Sequence, residues 1–375
     1  MIKKKHIALV TWIGGGNFGT ALQSFSLHYY LERKGYKVTL LRYIPRDYSG
    51  SSFQFVKSIL TYVGVTRLMT SLKARKLPPK EKKFNSFVNR YYNLRFLRTE
   101  YQFDKYVRQT SVFITGSDQI WNTYYKFDPK MFLDFVTNKR KVAYASSIGT
   151  TSIKEEYKED VKRLLLDFHR IGVREKAAVG VLSELTNRDD IVQVLDPTFL
   201  IKKEEWISVC ENAIIEIPIP EEYICCYLIG NNEEYKQQLE MVKQKTRINK
   251  VIIISSEENP AFTIDGAIIY NNAGPLEFVR LIADSSFVCT DSFHATALSI
   301  NLNKNFVEFL RFKDDDKASQ NSRIYDVLSH YHLKSHLYNS VTDEWLQAID
   351  YTEVGQLLEK DRDFSYGFLT SAIEE

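Results

Sequence analysis

The sequence predicts an α/β fold: two doubly wound domains in tandem, with a cleft between them and a helical insertion in the first. Three observations carry this. Short apolar runs alternate with helical patterns from end to end, and the runs are continuously apolar, as strands buried on both faces of a parallel sheet are. The alternation halts at Ile217-Pro218-Ile219-Pro220, which suits neither a helix interior nor a central strand, and then restarts. Finally, 375 residues that are 44% hydrophobic exceed the roughly 100–200 residues of one domain and can fill two cores.

In chain order, His6–Trp12 reads as a strand, Thr20–Lys34 as a helix and Val38–Arg42 as a strand. Further strands are expected at Val112–Thr115, Val142–Ser146, Ile171–Val173 and Ile191–Leu195, with helical character near Glu155–Phe168. Past the proline break come Tyr223–Ile229, Val251–Ser255, Ala267–Tyr270 and Phe287–Thr290 as strands. Glu233–Lys245 and Pro275–Ala283 read as helices, and another helix opens near His294. The expected limits are 1–205 for the first domain, with a helical insertion at about 50–108, and 222–330 for the second. Residues 331–375 are expected as helices packing across the junction.

Composition excludes several classes. The apolar fraction rules out disorder as the main state, and no fixed-period repeat suggests a solenoid. A net charge of +3 is too balanced for a protein whose main partner is nucleic acid. The charge is unevenly placed, however. Residues 73–108 hold 11 basic and three acidic side chains, a local +8, so the remainder sums to −5. This aromatic, basic stretch suits either a solvated helix face or a peripheral contact with anionic lipid. Four cysteines without a CxxC pair make no disulfide framework and point to a reduced, cytoplasmic setting. Lys3-Lys4-Lys5 before an apolar run has the outline of a signal peptide, but the run is short and enters Gly14-Gly15-Gly16, so a first strand is expected.

Ligands of open α/β sheets bind beyond the carboxyl ends of the strands. Nearly every predicted exit here is polar: Gly14–Gly19, Gly116-Ser117-Asp118-Gln119, Ser146-Ser147, Arg174, Asp196-Pro197 and Asp291-Ser292-Phe293-His294. Together they imply a ligand cleft. Gly14, Gly16 and Gly19 satisfy G-x-G-x-x-G, yet the acid expected after the second strand is replaced by Arg42-Tyr43, so dinucleotide binding does not follow. His294, in the first turn of a helix that Asp291 or Ser292 is placed to cap, is the candidate acid/base. Arg174, a charge just past a buried strand, is the candidate clamp for an anion. No metal-ligand spacing is found. Asp314-Asp315-Asp316 reads as a solvated loop and Cys225-Cys226 as core.

Taken in order, the motifs resemble those of the polysaccharide pyruvyl transferase family. They are Asn17-Phe18-Gly19-Thr20-Ala21-Leu22-Gln23-Ser24-Phe25, Gly116-Ser117-Asp118-Gln119-Ile120-Trp121-Asn122 and Tyr144-Ala145-Ser146-Ser147-Ile148-Gly149. Val173-Arg174-Glu175-Lys176, Asp196-Pro197-Thr198, Thr290-Asp291-Ser292-Phe293-His294 and Asn321-Ser322-Arg323-Ile324 complete the set. The resemblance implies two Rossmann-like domains arranged as in GT-B glycosyltransferases. It also implies transfer of a pyruvyl group from phosphoenolpyruvate to sugar hydroxyls of a cell-surface glycan, or of its lipid-linked precursor, as a ketal. No cofactor is implied beyond that donor substrate. On this resemblance His294 and Arg174 are catalytic. Asn17, Gly19, Gln23, Ser117, Asp118, Gln119, Trp121, Asn122, Ser146, Ser147, Asp291, Ser292, Asn321 and Arg323 bind substrate. The implied place is the cytoplasm, at the inner face of the membrane. The chain departs from the pattern at Ser292, where other branches carry arginine, and at Ala295, where glycine is usual. Arg311 or Arg323 is the expected substitute cation. A nucleotide-sugar glycosyltransferase and a non-catalytic glycan-binding protein are the competing readings.

Overall fold

A computed structural model of the chain describes residues 5–43, 77–97, 99–255, 262–312 and 320–375. They form two all-parallel sheets. The first contains β1 (His6–Val10), β2 (Lys37–Tyr43), β3 (Leu94–Phe96), β4 (Val112–Thr115), β5 (Arg140–Ser146), β6 (Arg170–Val173) and β7 (Val192–Gln193), in the order β3-β2-β1-β4-β5-β6-β7. The second contains β8 (Ile224–Tyr227), β9 (Val251–Ile254), β10 (Ile268–Tyr270), β11 (Phe287–Thr290) and β12 (Phe306–Glu308), in the order β10-β9-β8-β11-β12. In each sheet the order reverses beside the first strand, which is the switch point where such folds bind ligands.

The helices among the described residues are α1 (Phe18–Arg33), α2 (Pro79–Tyr91), α3 (Glu100–Gln109), α4 (Lys158–Leu165), α5 (Lys176–Thr186), α6 (Lys203–Cys210), α7 (Tyr235–Thr246), α8 (Pro275–Asp284), α9 (Phe293–Asn301), α10 (Ser322–His330) and α11 (Tyr351–Glu374). Every residue of β4, β8, β9 and β11 is buried, as their unbroken apolar runs require. In register, Leu9 of β1 lies between Leu40 of β2 and Ile114 of β4. Cys225 and Cys226 face opposite sides of β8, each into core, and all four cysteines are buried and free.

The junction between the sheets is apolar and continuous. α1 is buried on nearly every side, and all of α9 is buried, because each lies between the two domains rather than on a surface. Phe18 of α1 stacks on Phe278 of α8 at 4.5 Å, with Tyr227 of β8 edge-on to both. Polar side chains on α1 bond locally: Ser24 Oγ donates to Thr20 O (3.0 Å) and Ser26 Oγ to Leu22 O (2.8 Å).

The expectation of a wholly helical insertion over 50–108 needs correction. Leu94–Phe96 is a strand, pairing parallel to β2 as the edge of the first sheet. Only three residues long and half exposed, it carries no apolar run to read. The basic character of this region is also partly used inside the molecule. Lys83 of α2 pairs with Glu216 (2.9 Å) and Glu277 (3.2 Å), and Lys80 lies 5.0 Å over the Phe18 ring. Phe84 and Phe87 carry α2 into the junction core. Residues 44–76, the rest of the expected insertion, lie outside the described residues.

α11 packs on the first sheet. Lys5 Nζ donates to Ile373 O (2.8 Å), and the Leu195 amide donates to Ser365 Oγ (3.0 Å). Arg362 donates to Phe199 O (2.8 Å) and to Asn301 Oδ1 (2.6 Å), joining the first domain to the end of α9.

Candidate active site

Two helix N-termini meet where the domains face each other. α1 follows Gly14, Gly15 and Gly16, all in the left-handed region at φ +74°, +81° and +84°, a run that only glycine adopts without strain. Asn17 caps α1, its Oδ1 accepting from the Thr20 amide at 3.0 Å. Opposite it, His294 sits in the first turn of α9. A Cβ added at Gly19 would fall 2.1 Å from His294 Nδ1, so glycine is what lets the two helices approach.

The α9 end departs from expectation. Asp291 does not cap it. Its carboxylate turns back to accept from the Ile229 and Gly230 amides (both 2.7 Å) and from Tyr235 Oη (2.8 Å), and it pairs with Arg311 Nε at 3.3 Å. The Ser292 amide donates to Thr290 Oγ1 (3.0 Å), and no side chain caps the helix. The first amides of α9 therefore keep their capacity for an anion. Engaged as it is, Asp291 is a structural residue, and Arg311 is tied to it rather than free to replace the missing arginine.

Around His294 lies a buried charge cluster delivered by the exits of the first sheet. Asp196 Oδ2 is 3.6 Å from His294 Nε2 and 3.0 Å from Arg174 Nη1. Arg174 Nε pairs with Glu175 Oε1 at 3.1 Å, and Ser147 Oγ donates to the same oxygen at 2.5 Å. Asp118, at φ +68°, accepts from Thr20 Oγ1 (2.8 Å) and from the Gln119 amide (2.9 Å). Burial by itself would raise the pKa of both aspartates. For both, the charge of His294 when protonated and the charge of Arg174 reverse that, leaving each below the usual carboxylate range. Burial would equally lower the Arg174 pKa, but Glu175, Asp196 and Asp118 drive it up. Arg323, buried and close to Arg174, is instead pushed down to about 10.

Arg174, Glu175, Asp196 and Arg323 also line an open cleft between the β6 and β7 exits, α10 and α11. Phe293, Asp326 and Phe364 are among the other residues that line it. The Phe293 ring carries the Arg174 guanidinium at 4.4 Å and that of Arg323 at 5.8 Å. Arg174 Nη2 and Arg323 Nε are both buried without a hydrogen-bond partner among the described residues. Each such orphan donor costs free energy that a ligand acceptor would recover.

Several expected ligand residues are engaged elsewhere. Trp121 is buried, stacks on Phe132 and donates to Met131 O (2.9 Å), so it belongs to the core beneath the site. Gln23 donates to Thr11 Oγ1 (3.3 Å), Trp12 O (3.2 Å) and Thr20 O (3.0 Å), and accepts from the Ser117 amide (3.1 Å), so both residues pin a strand exit to α1. Asn122 Oδ1 accepts from the Tyr124 and Tyr125 amides, Ser146 Oγ donates to Thr115 O, and Asn321 donates to Phe312 O. The Gln119 amide lies 3.0 Å from that of Gln320. In this structure these side chains bond within the strand exits and give them their shape. Asp196 and Glu175 were missed as site residues. The polar exits held both, but a sequence does not show which exit residues face one another across two domains.

Fold and site together define a two-domain transferase of the GT-B architecture. The profile of the polysaccharide pyruvyl transferase family matches residues 17–311, most of the sequence, and the chain belongs to that family. Among solved structures, Arabidopsis thaliana UGT89C1 complexed with UDP-L-rhamnose aligns with a TM-score of 0.53 at 10% identity, over 99% of this chain and 98% of that one. The same enzyme complexed with quercetin gives 0.50 at 9% identity, over 99% of both chains. UDP-GlcNAc 2-epimerase from Neisseria meningitidis gives 0.49 at 8% identity, over 98% of this chain and 100% of that one. At such identities the two UGT89C1 alignments show a likeness of fold alone. No curated protein matches the sequence.

Proposed function

We propose that the protein transfers a pyruvyl group from phosphoenolpyruvate to two hydroxyls of a sugar, in a surface polysaccharide or its lipid-linked precursor at the inner face of the membrane. The observation that carries this reading is the pair of buried guanidiniums, Arg174 and Arg323, each with an unpartnered N–H, lining one cleft beside the uncapped end of α9. The donor offers a carboxylate and a phosphate, and these are the acceptors such groups bind. Arg323 takes the place of the arginine absent at Ser292.

In the reaction one sugar hydroxyl adds to C2 of the donor while C3 gains a proton, phosphate leaves, and the second hydroxyl closes the ketal. One hydroxyl proton ends on the new methyl group and the other on phosphate. His294 is the acid/base for these transfers. No helix among the described residues is long and apolar enough to cross a membrane, so a lipid-linked acceptor is met at the surface. Residues 73–108 are the proposed contact, through charges other than Lys80 and Lys83.

Ligand-dependent melting tests the donor. Phosphoenolpyruvate at 100 times its Kd stabilises the protein by about 2.7 kcal/mol, UDP-sugars do not, and Arg323→Ala loses the effect. Stabilisation by a UDP-sugar with none by phosphoenolpyruvate would replace this reading with a nucleotide-sugar transferase.

A further inference from the structure

We infer that Asp196 is the positioning residue for His294: from across the domain junction it holds the ring with Nε2 toward its own carboxylate, leaving Nδ1 to exchange protons with substrate. The inference rests on the acid–base role proposed for His294.

The Asp196 carboxylate has a fixed direction. Oδ1 accepts from the Thr198 amide (3.0 Å) and from Thr198 Oγ1 (2.7 Å), inside the short turn Pro197–Phe199. Its side chain is 1% exposed. Oδ2 consequently points one way, towards Arg174 Nη1 (3.0 Å), Ser117 Oγ (3.4 Å) and His294 Nε2 (3.6 Å). His294 Nε2 is buried and has no hydrogen-bond partner among the described residues. Asp118 adds negative charge nearby, but its oxygens take the Thr20 hydroxyl and the Gln119 amide.

The two ring nitrogens of a neutral histidine cannot both carry the proton, and the partner of one decides the state of the other. An ionised Asp196 only accepts. It therefore selects Nε2–H and leaves the lone pair on Nδ1, which lies against Gly19 at the mouth of α1. The 3.6 Å separation is longer than a formed hydrogen bond, and such contacts tighten once substrate is in place. Because Asp196 and His294 belong to different domains, the base acquires its orientation only while the domains are together.

The test is a two-bond ¹⁵N–¹H spectrum of the full-length protein labelled at histidine, with the His294 signals identified by their loss in His294→Gln. The expected wild-type result is the Nε2–H tautomer. Asp196→Asn, which presents an N–H to the ring, is expected to move the proton to Nδ1. It should also lower kcat by about 10²-fold, the lower end of what a positioned acid–base group contributes. Thr198→Val removes one anchor of Oδ1 and keeps the charge, so it gives the same shift in smaller measure and serves if Asp196→Asn does not fold. Pyruvyl transfer by the wild type, with the His294 tautomer unaltered in both variants, overturns this inference and leaves the proposed function standing. The expected spectra without any pyruvyl transfer overturn the proposed function and leave the orientation intact.

Discussion

α1 and α9 meet N-terminus to N-terminus, both buried, yet they begin differently. α1 is closed by its own cap, Asn17, and uses its first turn to hold strand exits in place through Thr20 and Gln23. α9 has no side-chain cap: Asp291 is turned away, and the Ser292 side chain makes no bond to the first helix amides. One helix organises the site; the other leaves its dipole end open to it. A polar residue before a helix therefore shows that capping is available, while the tertiary structure decides whether it is used.

This contrast can be broken at four positions. The largest effect is expected for Asp291→Ala, which strands two backbone amides, Tyr235 and Arg311 together. The loss should reach about 3–5 kcal/mol, as for other broken buried pairs, and denaturant unfolding measures it. Next is Gly19→Ala, whose methyl group enters the space of His294 Nδ1. Overpacking of this kind costs about 1–3 kcal/mol, and turnover should fall much further than melting temperature, since the displaced group is the proposed base. The smallest effects come from the caps themselves. Ser292→Asp should add about 1 kcal/mol by capping α9 while reducing the melting shift produced by phosphoenolpyruvate. Asn17→Ala should lose about 1 kcal/mol and keep that shift. Equal responses to phosphoenolpyruvate in these two variants would show that the ends of α1 and α9 do not differ in function.

The strands read most sharply from sequence are those buried on both faces, although the partly exposed β7 and β10 are expected as well. Val112–Thr115 and Phe287–Thr290 have the expected limits, because continuous apolar runs leave no other element. β3 and β12 escaped for opposite reasons. β3 is an exposed edge, and β12 is interrupted by Glu308, a carboxyl whose pKa burial drives well above its ordinary value and whose Oε2 accepts from Thr296. Within the site, Arg174 and His294 stand out in the sequence because a charge after a buried strand and a histidine in a first turn each have few packing roles. Asp196 was visible only as one polar exit among many. Its importance comes from facing His294 across the junction, a relation carried by no local pattern. Gln23 and Trp121 show the converse, since residues of a functional motif can be there to build the exits.

The path of the chain ties the two domains together. Among the described residues it leaves the first sheet through α6 and returns as α11, which lies against β5 and the β7 exit. The second domain is sewn down at both ends, so pulling the halves apart would stretch both seams. The Phe18–Phe278 stack fastens the space between them. Parting such a ring pair costs about 0.5–1.5 kcal/mol beyond its buried area, a modest addition to a junction that two chain crossings already hold.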